Sequence, residues 1–437
     1  MKFIVNNGGK LSGNIRVPGD KSISHRSIMF GSIAQGTSHI SGFLEGEDSL
    51  NTLRAFRAMG VSIEGPENGR VVIHGVGMHG LKKPAQALEL GNSGTSMRLL
   101  AGLLSGQVFD VELTGDASLS KRPMERVTRP LALMGAKVST AEGGRPPLKI
   151  SGGCDIRGID YELPMASAQV KSCVLLAGLY ANGTTCVTEP ATTRDHTERM
   201  LNAFACKVDK TGATACIHGP ATLQACDIDV PADISSAAFF MVGASIAQGS
   251  EITLEHVGIN PTRTGVIDIL RLMGADIELV NQAEAGGEPV ADIRIRSTQL
   301  KGIHIPEELV PLAIDEFPVI FVAAACAEGE TVVTGAEELR VKESDRIQVM
   351  ADGLQALGVN ARATADGMVI QGGIINGGNA HSHDDHRIAM AFSMAALRAT
   401  GTIAIDDCEN VNTSFPDFVG LAAAAGLCIQ SDASSAV

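Results

Sequence analysis

Cations, acids and small hydroxyls recur in this chain at one kind of place, where an apolar, alanine-rich stretch of helix length begins. Gly19-Asp20-Lys21-Ser22-Ile23-Ser24-His25-Arg26 follows a proline and brings Lys21, Ser22 and Arg26 to a helix start, a set suited to phosphate. Asn92-Ser93-Gly94-Thr95-Ser96-Met97-Arg98 puts glycine and hydroxyls where backbone amides can approach an anion. Lys121-Arg122-Pro123 reads as a helix opening with two cations, which is unfavourable unless something negative offsets them. Met165-Ala166-Ser167-Ala168-Gln169-Val170-Lys171 supplies one hydroxyl and one amide, neutral groups that suit a phosphate or a polyol. Taken singly, each segment is also accounted for by a plain helix cap. None is a P-loop, because GxxxxGK[ST] is absent.

The acids point further. Asp315 and Glu316 lie inside the apolar run LVPLAIDEFPVIFVAAA, and a buried acid is costly unless paired. Asp315 is therefore a better functional candidate than any surface acid. In Arg340-Val341-Lys342-Glu343-Ser344-Asp345-Arg346, Lys342 and Arg346 are spaced to share one helix face with Glu343 beside them, although a solvated charged face explains the same run. His381-Ser382-His383-Asp384-Asp385-His386-Arg387 invites a metal reading. No second ligand cluster accompanies it, and adjacent Asp384 and Asp385 do not readily point at one ion; Arg387, nearest the apolar helix, is the stronger choice.

The elements that must position these groups repeat. Six segments begin near Pro18, Gly91, Pro164, Pro231, Pro306 and His381, roughly 67–75 residues apart, longer than the roughly 20–50 residues of solenoid repeats. Each opens an apolar helix, followed by a strand-like run (TSHISGFL, VFDVELTG, TTCVTEPA, EITLEHVG, ETVVTGAE, TIAIDDCE), an amphipathic helix ended by glycine in most cases, and a further strand. The unit reads as βαβαβ, with the first helix buried and the second facing solvent. Six units in 437 residues imply two α/β domains of three units, with a seam near Asp227–Ala232. Three helix N-termini per domain aimed at a shared cleft would favour a small anionic ligand. Gly286–Val290 reads as an exposed turn, and the small, polar tail Ser431–Val437 as disordered.

Composition narrows the function. Net charge is −14 and aromatics are 3% of residues, which disfavours nucleic acid and anionic membranes. No apolar run approaches the roughly 18–20 residues of a membrane span. The start, MKFIVNNGGKLSG, has no signal-like segment. Nine cysteines without CxxC pairs give no expectation of a disulfide framework or zinc site. The chain reads as soluble and cytoplasmic.

Together, GDKSISHR, GNSGTSMR, KRPM, SAQVKS, IDE, RVKESDR and DDHR resemble the 5-enolpyruvylshikimate-3-phosphate synthase family in order and spacing over nearly the whole chain. GDKS, SAQVK, RDHTE and NPTR resemble its bacterial class II branch. The resemblance implies two domains of three βαβαββ units each, the inside-out α/β barrel of enolpyruvyl transferases, with a cleft between them. It places residues 21–228 in one domain and 1–20 with 229–437 in the other. It implies transfer of the enolpyruvyl group of phosphoenolpyruvate to the 5-hydroxyl of shikimate 3-phosphate, by a monomer without metal or organic cofactor. Lys21, Ser22, Arg26, Ser167, Gln169, Asp315 and Lys342 would hold shikimate 3-phosphate. Lys21, Gly94, Arg122, Gln169, Arg346 and Arg387 would hold phosphoenolpyruvate. Asp315 would accept the hydroxyl proton, with Glu343 and Lys21 the candidates for protonating the vinyl carbon. One departure is the C-terminal stretch Val411-Asn412-Thr413-Ser414-Phe415-Pro416, which lacks the lysine that the enterobacterial pattern places before Thr-Phe-Pro. The rival family, UDP-N-acetylglucosamine enolpyruvyl transferase, carries a reactive cysteine shortly before an Arg-Pro pair; here Asp116-Ala117-Ser118-Leu119-Ser120 precedes Arg122-Pro123.

Overall fold

Most of the apolar stretches begin as helices behind a residue that caps them. The computed structural model describes residues 1–432. The chain divides into two compact units, one of Gly19–Val230 with Ala285–Glu288, the other of Met1–Pro18, Pro231–Glu284 and the chain from Pro289 onward. The first unit contains α1 (Lys21–Ile33), α2 (Glu47–Ala58), α3 (Gly94–Ser105), α4 (Glu125–Leu133), α5 (Ala168–Gly178) and α6 (His196–Ala203). The second contains α7 (Ile234–Ile246), α8 (Gly265–Leu272), α9 (Phe317–Cys326), α10 (Arg346–Ala356), α11 (His386–Ala395) and α12 (Phe418–Ala425).

The odd-numbered helices are the buried ones; every residue of α7 is buried. Five of these six carry a side-chain N-cap: Asp20, Ser93, Ser167, Asp233 and Asp385 accept from backbone N–H groups one turn in. The sixth, α9, begins at Glu316, whose side chain makes no capping bond. The even-numbered helices are only partly buried, as in α4, where Val127, Pro130 and Leu131 are the buried residues.

The described residues form six small sheets, five of four strands and one of three. The middle repeat of the first unit shows the pattern. Leu88–Glu89 leads into α3 and pairs in parallel with Val111–Thr114, which follows it. After α4, the hairpin Val138–Ala141/Arg145–Ile150 completes the sheet, its second strand antiparallel to Val111–Thr114. Each unit borrows strands across sequence. Ile228–Asp229 pairs with Gln35–Ser41 in the first unit. In the second, Ser12–Ile15 pairs with Glu251–Gly258, and Lys2–Val5 lies between Ile403–Asp406 and Ile429–Asp432. These pairings bind the first residues of the chain to its fourth and sixth repeats.

Buried helices meet closely where side chains are small. A Cβ on Gly102 of α3 would lie 2.1 Å from the carbonyl oxygen of Cys173 in α5, so the two backbones touch there. Scarce aromatics leave helix contact to Ala, Leu, Val and Met, which pack at this distance.

Several sequence expectations are corrected. Lys121 and Arg122 do not open a helix; they end a short 3-10 turn, and α4 starts at Glu125. Asp315 lies in the turn before α9, not within it. Lys342 and Arg346 do not share a helix face, because Lys342 ends a 3-10 turn and α10 starts at Arg346. Of Gly286–Val290, Gly286 and Gly287 make the turn with positive φ, whereas Glu288 and Val290 are buried. Ser431 and Asp432 belong to the strand Ile429–Asp432, and the rest of the expected disordered tail lies outside the described residues. A disulfide joins Cys186 and Cys216, directly opposite each other on adjacent antiparallel strands, a pairing that scattered spacing did not reveal.

Gly102→Ala is expected to force α3 and α5 apart at a cost of about 1–3 kcal/mol. The check is a lower urea midpoint at unchanged slope relative to the parent protein.

Candidate active site

In the first unit the three buried helix starts each contribute. Lys21 is the first residue of α1 and pairs with the buried carboxylate of Asp48 from α2. Arg26, one turn on, is buried and held on three sides. Its Nε donates to Thr197 Oγ1 at 2.8 Å, Nη1 to the Ser22 carbonyl at 2.9 Å and Nη2 to Ser172 Oγ at 2.9 Å. Behind these hydroxyls, buried Lys171 sits 3.1 Å from Glu189 and 2.8 Å from Glu198. Burial pulls the Arg26 guanidinium down to about 10, against Glu198 and Asp20, which raise it, and together with Arg194, which lowers it.

Gly94 opens α3, and a Cβ there would lie 3.0 Å from Arg122 Nη1, so glycine admits the guanidinium. Arg122 Nη2 donates to Asn92 Oδ1 at 2.6 Å. Gln169 is fixed between α3 and α5: its Oε1 accepts from Arg98 and its Nε2 donates to Thr95 Oγ1 at 3.0 Å. Ser167 caps α5 through Val170 N at 3.4 Å. The seven candidates Lys21, Ser22, Arg26, Gly94, Arg122, Ser167 and Gln169 all lie at or beside these helix starts.

In the second unit Arg346 is the organising cation. It is 1% exposed, yet three carboxylates reach it. Asp385, the cap of α11, accepts from Nε at 2.8 Å and from Nη2 at 3.1 Å; Glu343 accepts from Nη2 at 2.8 Å; Asp315 Oδ1 lies 3.4 Å from Nη1. Burial works to lower the Arg346 pKa, but Asp385, Glu343 and Asp315 outweigh it and hold the guanidinium above its ordinary value. Lys342 Nζ lies 3.5 Å from the same Asp315 oxygen. Asp315 is thus an acid between two cations, with 14% of its side chain exposed. Arg387 follows the Asp385 cap, and its guanidinium has no partner among the described residues. Thr413 ends a 3-10 turn and donates to the Asn410 carbonyl at 2.7 Å. Among the described residues no group of three or more His, Cys, Asp or Glu side chains is arranged to hold a metal, and no helix is long and apolar enough to cross a membrane.

The family model described as EPSP synthase (3-phosphoshikimate 1-carboxyvinyltransferase) matches residues 5–421. The chain belongs to the EPSP synthase family. Over 430 residues it is 67% identical to the 3-phosphoshikimate 1-carboxyvinyltransferase of Alkalilimnicola ehrlichii, covering 98% of this chain and 96% of that one. The enzyme of the same name from Methylococcus capsulatus is 67% identical over 428 residues, covering 98% of each. A solved EPSP synthase from Acinetobacter baumannii superposes with a TM-score of 0.89 at 62% identity, covering 99% of this chain and 100% of that chain. The enolpyruvyl transferase NikO from Streptomyces tendae, at 18% identity and a TM-score of 0.77 over 98% of both chains, shares the fold.

The chain is accordingly a transferase of the shikimate pathway, and the UDP-N-acetylglucosamine reading is set aside. Within the EPSP synthase frame, sequence reasoning missed Asp48, Arg98, Asn92 and Asp385, the residues that hold the candidates. Asp385 carried a signal that was passed over, an acid immediately before a buried helix. Asp48 carried none, since nothing in its local pattern joins it to Lys21.

His25 lies among these groups. Its Nδ1 is 2.8 Å from Thr52 Oγ1, and its Nε2 is buried without a hydrogen-bond partner. Burial, then Lys21 and Arg26, hold its pKa well below the ordinary value. The unfolded chain binds a proton here below about pH 6.5, and the folded chain does not. Stability is therefore expected to fall as pH drops below about 6.5 and to recover above it. His25→Gln should flatten that dependence, read from urea midpoints at pH 7 and pH 5.5.

Proposed function

We propose that the two sets of residues act on the same pair of substrates, moving the enolpyruvyl group of phosphoenolpyruvate onto the 5-hydroxyl of shikimate 3-phosphate. The observation that carries this reading is the Asp315 carboxylate, 3.5 Å from Lys342 and 3.4 Å from Arg346. Lys21, Ser22, Arg26, Ser167, Gln169, Asp315 and Lys342 bind shikimate 3-phosphate. Lys21, Gly94, Arg122, Gln169, Arg346 and Arg387 bind phosphoenolpyruvate. Arginine forks suit carboxylate and phosphate, and the Arg387 guanidinium, without a partner among the described residues, supports an anion as its partner.

The chemistry follows from these placements. Two multiply charged anions repel, and the cations and helix N-termini together offset that repulsion. Asp315 takes the proton of the 5-hydroxyl as its oxygen bonds to C2 of phosphoenolpyruvate. The double-bond electrons go to the methylene carbon, which takes a proton from Glu343 or Lys21. Return of a methyl proton to the group that donated it then restores the double bond as the C2–O bond to phosphate breaks, and the departing phosphate takes up the proton held by Asp315. Protons and electrons balance without a redox partner.

Phosphorus NMR of the protein with both substrates and a chelator should show inorganic phosphate and enolpyruvyl product growing equally. Absence of turnover, with UDP-N-acetylglucosamine consumed instead, would overturn the reading. Asp315→Asn should lower kcat by about 10²–10⁴-fold, the usual contribution of a positioned base.

A further inference from the structure

Glu316 is a deeply buried acid next to Asp315, and the proposed steps do not use it. Its side chain is fully buried, and its Oε2 has no hydrogen-bond partner. Burying a carboxylate is costly, so a retained one needs an explanation. Capping is not that explanation, since α9 alone of the six buried helices lacks a side-chain cap. Glu316 is turned instead toward α7. Its Oε1 accepts from Ser235 Oγ. Ser235 Oγ accepts from Arg263 Nη2 at 2.7 Å, and that nitrogen also donates to Asp233 Oδ1 at 3.1 Å. Arg263 Nη2 lies 3.9 Å from Glu316 itself. Asp233 in turn caps α7 through Ser235 N at 2.8 Å.

This chain of contacts ends one peptide bond from Asp315. Asp315 lies in a turn, where no strand ladder or helix fixes its backbone. On its side-chain face Lys342 and Arg346 hold it. On its backbone side the next residue carries the tether to α7, while its carbonyl starts α9 by accepting from Val319 N and Ile320 N, both at 3.1 Å. We propose that Glu316 is a positioning residue for the general base, and that Asp233, Arg263 and Ser235 fix Asp315 through it. The inference rests on Asp315 being that base. A displacement of about 1 Å at a reacting group can cost about 10²-fold in rate, so a lost tether is large enough to measure.

The test is a double-mutant cycle of Asp315→Asn and Glu316→Gln, in the purified full-length enzyme, with kcat and both KM values measured. Glu316→Gln keeps the size and an acceptor for Ser235 and removes the charge that faces Arg263. It should lower kcat by about 10–10²-fold, with KM for shikimate 3-phosphate changed less than about threefold. Added to Asp315→Asn, it should lower kcat no further, because its effect runs through the residue already lost. Ser235→Ala leaves both acids in place and should act in the same direction, which keeps the test open if Glu316→Gln does not fold. A purely structural Glu316 would give a stability loss with wild-type kcat, or losses that multiply in the double variant, and either result overturns the proposal. Full activity of Asp315→Asn would instead overturn the base assignment on which it rests.

Discussion

A guanidinium taken out of water must be met by negative charge, and Arg346 sets that requirement for the second unit. At about 4 Å in a surrounding of effective dielectric near 20, one unit pair contributes about 4 kcal/mol, so a single carboxylate cannot comfortably replace the lost hydration. Three reach it, from the turn before α9, the turn before α10 and the cap of α11. Satisfying the cation therefore fixes three helix starts at once. The same arrangement leaves Asp315 partly exposed beside Lys342. The first unit solves a like problem with Arg26, using hydroxyls backed by the buried Lys171, Glu189 and Glu198 set.

Much of this was legible in the residues. Apolar helices starting at Lys21, Gly94 and Ala168 follow from alanine-rich runs behind Asp20, Ser93 and Ser167, and the second helices follow from their periodicity. Strands follow the buried helices, as the strand-like runs implied. Lys21, Ser22, Arg26, Gly94, Ser167 and Gln169 lie at or beside those starts. The contacts among them were not legible, because they join repeats far apart in sequence. Arg98 to Gln169 and Arg346 to Asp385 are long-range pairings that no local pattern encodes. The placement of Lys2–Val5 among the last strands is of the same kind.

The reading of the buried acid changed most. An apolar run around Asp315 suggested a carboxylate within a helix. Pro318 near the start of α9 and the turn before it instead leave Asp315 outside the helix and Glu316 at its boundary. The two neighbours then diverge, one toward cations at the site and the other toward Ser235 in the core. The sequence shows two adjacent acids; only the packing of α7 against α9 separates their roles.

The most direct measurement is a crystal structure of the enzyme with shikimate 3-phosphate and phosphoenolpyruvate bound, trapped in the Asp315→Asn variant. The account predicts the side-chain oxygen of the substituted residue within about 2.6–3.2 Å of the 5-hydroxyl, the reach a general base requires. It also predicts Arg387 and Arg122 on phosphoenolpyruvate. A 5-hydroxyl contacted by another acid, with residue 315 still turned to Lys342 and Arg346 alone, would contradict it.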